Sequence, residues 1–203
     1  MENKHNSLPV YKLKIKETDN DKSEVTYIAM VDEGAIMLDW VTFSDKPKIS
    51  DRFKFSVDKE RRLIMGALMI SDMPIYREKD GQKFYVLFDK EEIMKIVQKS
   101  ARKKYWSNFN LMHDNERKTE GVYIIESLVV DSSRGVSAPK AFEGISEGSW
   151  LVTVKVDNEA IWNDYIKTGE FKGFSVEGIF DFEMVGEEKE SDLQEIIDIV
   201  RGL

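Results

Sequence analysis

The stretch GSWLVTVKVDNEAIWNDYIKTGEFKGFSVEGIF, residues 148 to 180, reads as strand, short helix, strand. Residues 149 to 156 are a continuous apolar run of β-branched and aromatic residues bounded by Gly and Asp, as in a buried strand. A helix then starts near Asp157 or Asn158, turns Ile161, Tyr165 and Ile166 inward, and stops at Gly169. Residues 174 to 185, FSVEGIFDFEMV, return to strand. Within them Ser175 and Glu177 share one face by the two-residue period of a strand.

The same pattern recurs outward from this stretch. VYKLKIK (10 to 16) and RFKFSVD (52 to 58) alternate as half-buried strands do. Apolar runs at 25 to 31, 62 to 70, 84 to 88 and 122 to 131 are short and bounded by Gly, Asp, Asn and Ser. A helix is signalled by Asp89 with Glu92 three residues on, with Ile93, Ile96, Val97 and Ala101 on one face. The basic run KSARKK (99 to 104) closes that helix, where cations suit the negative end of its dipole. A last helix is signalled from Ser191, with Leu193, Ile196, Ile197 and Val200 on its apolar face. The expected fold is β-rich α+β, a small antiparallel or mixed β-barrel flanked by helices. Residues 1–9 read as a flexible tail, 10–185 as one folded domain, and 186–203 as a linker and C-terminal amphipathic helix. Residues 71 to 83 and 131 to 148 are rich in loop signals.

Composition narrows the chemistry. The chain has 203 residues, a net charge of −8 with both signs interspersed, no cysteine and two histidines, His5 and His113. A nucleic-acid surface normally needs a basic face, so no direct nucleic-acid binding is expected. No apolar run approaches the roughly 18 residues of a membrane span, and no membrane association is expected. Thiol chemistry and multi-histidine metal sites are excluded, and no cofactor is expected. An intracellular setting is the default.

Imidazole chemistry rests on His113, since His5 lies in a polar tail. The segments 105 to 113 and 122 to 131 read as a hairpin with His113 at its tip, which places Glu126 on the histidine's face. A serine hydroxyl needs a base within hydrogen-bond reach, and histidine is the usual one. On the residues alone Ser175 remains one polar residue among many, and no GxSxG elbow is present. Glu126 and Glu177 each lie inside an apolar strand, where a carboxylate needs a partner or solvent. Either suits an imidazole.

Taken together, several segments resemble one family. The 148–180 stretch, with its helix ending in GEFKG and its FSVEG strand, is similar to the terminal part of the XkdF-like group of phage prohead serine proteases. RLIMGALMISDMPIYR (62 to 77), YIAMVDEGAIMLDWVTFS (27 to 44) and NLMHDNE with GVYIIESLVVD (110 to 131) resemble further segments of that group, in the same order. Gly34 stands where the group usually has proline, and Ala67, Leu68 and Met69 replace a proline-containing run.

The resemblance implies a herpesvirus assemblin-like fold and a maturation protease in the host cytoplasm, inside the assembling prohead. Its substrates would be the scaffold and the major capsid protein, and a homodimer would follow by analogy with assemblin. It makes Ser175 the nucleophile and His113 the base, with Glu126 as the first choice for the third member and Glu177 the second. The loop holding Arg134 and Gly135 is a candidate source of an oxyanion donor. The alternative is a non-catalytic capsid-assembly or scaffold-associated protein that retains the fold. The opening segment also resembles one that follows the catalytic strand in other prohead proteases. A circular permutation between the groups would then place strand 25–31 beside the Ser175 strand.

Overall fold

The structure is a computed structural model that describes residues 8–32, 54, 56–79 and 81–185. The N-terminal tail 1–7, most of segment 33–55 and the expected C-terminal helix lie outside the described residues. Among the described residues three four-stranded sheets form, and none closes into a barrel. One sheet orders β11 (Gly173–Ile179), β2 (Glu24–Val31), β7 (Phe109–Leu111) and β8 (Asp114–Lys118). A second orders β12 (Asp181–Met184), β1 (Val10–Lys14), β6 (Gln82–Leu87) and β5 (Ile75–Lys79). The third orders β3 (Ser56–Asp58), β4 (Leu63–Met69), β10 (Trp150–Val156) and β9 (Val122–Val129).

The strand pairs β1–β6 and β2–β7 are parallel and the rest antiparallel, so the first two sheets are mixed. In place of the expected barrel, the strand signalled at 174–185 splits. Its first part pairs with β2 and its second with β1, with a register shift between Glu177 and Gly178. Such a bulge bends a strand, and here it carries the chain from one sheet to the next.

A single apolar cluster joins the sheets. Trp150, Val152 and Val154 from β10 meet Ile28 and Met30 from β2, Leu13 and Val86 from the β1–β6 pair, and Phe174 from β11. Each fully buried side chain of this kind contributes about 1.5–3 kcal/mol of transfer free energy. Trp150 keeps its indole N–H satisfied by donating to Ser127 Oγ at 2.9 Å.

Helix α1 (Lys90–Lys103) starts as expected, with the Asp89 side chain accepting from Glu92 N at 2.9 Å. The Glu92 carboxylate does not return the bond; it accepts from Ile15 N at 2.6 Å and so ties the helix to β1. Ala101 is exposed, and Lys99 is buried instead. Lys99 Nζ donates to the carbonyls of Lys16, Asp21 and Ser23, so part of the basic run clamps the β1–β2 loop. Helix α2 (Glu159–Ile161) is capped by Asn158 and continues as a π turn over Trp162–Ile166, with Tyr165 stacked on Phe171.

The loop-rich region 71–83 contains β5, and 131–148 is held by its own apolar anchors, Phe142 and Ile145, against Leu151. The hairpin differs most from its sequence reading. β7 returns at once through β8, while β9 leaves for the third sheet to pair with β10. No helix among the described residues is long and apolar enough to cross a membrane.

Candidate functional site

Ser175 lies on β11, an edge strand, and pairs with Ala29 of β2. Strand 25–31 therefore does lie beside the serine strand. Ala29 in turn pairs with Asn110 of β7. Directly paired residues share a sheet face, so Ser175, Ala29 and Asn110 form one row. Ser175 is 5% exposed, and its hydroxyl makes no hydrogen bond among the described residues.

The next residue on that face of β11 is Glu177, and its carboxylate meets His113. His113 Nδ1 lies 3.0 Å from Glu177 Oε1. Asn110 Nδ2 donates to the same oxygen at 2.6 Å.

His113 reaches this position from a two-residue turn. Leu111 pairs with Asp114, and the two residues between them, Met112 and His113, have φ of 54° and 59°. Two successive left-handed residues are the conformation of a tight hairpin turn, one usually filled by Asn-Gly. Neither Met nor His favours it. Met112 N donates to Met30 O at 3.0 Å, which pins the turn onto β2. Strain of this kind gathers at functional positions when the surroundings enforce it.

Ser175, His113 and Glu177 line one cavity of about 900 Å³. It occupies the corner where the chain passes from β11 to β12 and faces β5 and β6. Phe84, Phe88, Leu68 and Phe180 make an apolar wall, and Lys172 and Arg77 bring cationic groups to it. The imidazole is 43% exposed, so it is open to a reacting molecule.

His113 Nδ1 faces the Glu177 carboxylate at 3.0 Å, and an imidazole that keeps its proton on Nδ1 presents Nε2 as a proton acceptor. A serine, an imidazole and an orienting carboxylate are the groups that acyl transfer through a serine nucleophile requires. No direct Ser175–His113 hydrogen bond is formed among the described residues. In unliganded sites such bonds are commonly long and tighten when substrate binds.

The other candidates stand elsewhere. Glu126 is exposed on β9, opposite Thr153 of β10, and is not among the cavity's lining residues. The hairpin register that placed it beside His113 does not form, because β8 occupies the position expected for 122–131. Arg134 Nε donates to Asp131 Oδ2 at 2.6 Å, and neither Arg134 nor Gly135 lines the cavity. Asn110 was missed in the sequence reading. Its signal was a lone amide between Phe109 and Leu111, at the buried centre of an apolar strand.

A fold of three packed sheets with this set in a corner cavity defines a candidate hydrolase of the serine type. A family model described as "Putative phage serine protease XkdF" matches residues 51–183, well over half of the chain, and the chain belongs to that family. The 27–44 segment and β2 lie before the matched range. No curated protein and no solved structure matches the chain.

Proposed function

We propose that this chain is a prohead maturation endopeptidase that cleaves scaffold and capsid-protein extensions through an acyl-enzyme on Ser175. Family membership supports the protease class. The observation that carries the mechanism is the His113 Nδ1–Glu177 Oε1 contact in the cavity that also holds Ser175.

Ser175 Oγ attacks the scissile carbonyl carbon while His113 Nε2 takes the hydroxyl proton. Glu177 holds the resulting imidazolium through Nδ1–H. His113 then returns the proton to the leaving amine, and the C–N bond breaks. Water enters, gives a proton to Nε2 and its oxygen to the acyl carbon, and the freed serine regains a proton from His113. Glu177 thus fills the third role in this proposal in place of Glu126.

The proposal includes a setting inside the assembling prohead in the host cytoplasm, an assemblin-like fold, and, by analogy with assemblin, a homodimer; family membership is consistent with this setting. The absence of a Ser175–His113 bond favours a second reading, a capsid-assembly component that keeps the fold without activity. Reaction with a fluorophosphonate separates the two. The protease reading expects a covalent adduct on Ser175, lost in Ser175→Ala and His113→Ala. It also expects cleavage of co-expressed scaffold or capsid protein that both substitutions abolish. Cleavage that persists in both folded variants sinks the proposal.

A further inference from the structure

We infer that Asn110 is a positioning residue, the group that locks Glu177 in the rotamer from which it holds His113; the inference rests on the reading of the site proposed above. Asn110 is 0% exposed at the centre of β7. Its Nδ2–Oε1 distance of 2.6 Å is that of a charge-assisted bond. The opposite amide orientation would set two oxygens against each other at that distance, so the nitrogen must face the carboxylate. Glu177 Oε1 therefore has two nitrogens close to it, His113 Nδ1 from the hairpin at 3.0 Å and the donating amide of Asn110 from the sheet at 2.6 Å. The imidazole is partly exposed, whereas the amide donor is fixed by burial.

The row geometry makes the reach possible. Asn110 and Ser175 flank Ala29, which is 0% exposed and carries the smallest side chain of the three. A larger residue there would fill the space between β11 and β7 on the face they share. The amide oxygen shows what this placement costs the fold. Asn110 Oδ1 is buried with no hydrogen-bond partner among the described residues. An unpaired buried acceptor is destabilising, and an apolar residue of similar size would remove the penalty. Asparagine at this position disfavours the strand interior and favours the orientation of Glu177.

The test uses the full chain with Asn110→Leu and Asn110→Ser. Three quantities are measured: the rate of fluorophosphonate labelling of Ser175, the imidazole ¹⁵N shifts of His113, and the melting temperature. The His113 signals are assigned against His113→Ala, with His5 the one other histidine to separate. A positioning role expects labelling about 10²-fold slower in both variants, the scale set by small misplacements of a catalytic group. It also expects His113 to lose its bias toward the Nδ1–H tautomer, and the leucine variant to melt at or above wild type. Wild-type tautomer and labelling rate in a folded variant overturn the inference. If the leucine variant does not fold, the serine variant supplies the same readouts. If wild type takes no label, the protease reading fails while the tautomer shift still decides the role of Asn110.

Discussion

Gly178 packs against the backbone of Glu24 so closely that a Cβ on it would stand 2.1 Å from the Glu24 carbonyl oxygen and 2.9 Å from its carbon. The contact falls at the register shift that follows Glu177, where β11 bends toward β12. This gives a physical reason for the glycine in the FSVEG motif. Gly178→Ala must push β11 from β2, and the expected loss is about 1–3 kcal/mol, as for other overpacked sites. Urea denaturation measures it. Because the bulge also aims Glu177, fluorophosphonate labelling of the folded fraction should slow as well; an alanine variant with wild-type stability would remove the steric account.

Glu177 and Glu126 are separated by a direct comparison. Glu177→Gln removes the charge that holds the Nδ1–H tautomer and should lower turnover by about 10³–10⁴-fold, the scale seen when a triad carboxylate becomes an amide. Glu126→Gln, on an exposed face of another sheet, should change activity by no more than about twofold. Steady-state cleavage of a scaffold peptide checks both. Equal losses would return Glu126 to the site.

Met112 is exposed and holds a left-handed conformation at φ 54°. Asparagine tolerates that conformation better than methionine does. Met112→Asn should raise stability by about 0.5–1 kcal/mol with cleavage activity retained, since left-handed strain at a non-glycine residue is of order 1–2 kcal/mol. Calorimetry and a peptide-cleavage assay test this together.

Asp89 sets an acid limit on stability. Burial alone would raise its carboxyl, but bonds from Lys12 and the Glu92 N–H, together with Lys14, bring it down to about 2. An unfolded aspartate titrates at about 3.9. The folded value is the lower one, so the stabilisation is complete above about pH 4 and is lost as pH falls toward about 2. Asp89→Asn keeps a helix-capping side chain and removes the titration. Its urea midpoint should lie below wild type at pH 7 and fall less steeply between pH 4 and 2.

The sequence exposed the parts of this fold whose periodicity is local. β2, β4, β6 and β10 carry apolar runs and were readable as strands. β8, sequence DNERK, has no apolar residue, most of β5, IYREK, is exposed, and both strands lie at sheet edges, where charge suits an exposed backbone. They read as loops. Ser175 and Glu177 could be placed on one face because a strand's period is fixed by its own backbone. The contact between Glu177 and His113 could not, because it depends on β2 pairing parallel with β7 across about 80 residues of chain. Parallel pairing leaves no turn signature between its partners. The assumed partnership of 105–113 with 122–131 failed for a different reason, because the charged strand β8 takes the antiparallel place beside β7 and β9 pairs with β10 instead, and Glu126 goes with it.

β2 contributes none of the proposed reacting groups, yet it lies between the strand of Ser175 and Glu177 and the strand of Asn110 that leads to His113. β1 holds the same middle place between β12 and β6. Both precede residue 51, where the family match begins. A fragment of residues 51–183 would carry every proposed functional side chain and lack the strand that sets the spacing among them. Exchanging that region between relatives would transfer the reagents, while their alignment would be inherited from the recipient's own N-terminal strands.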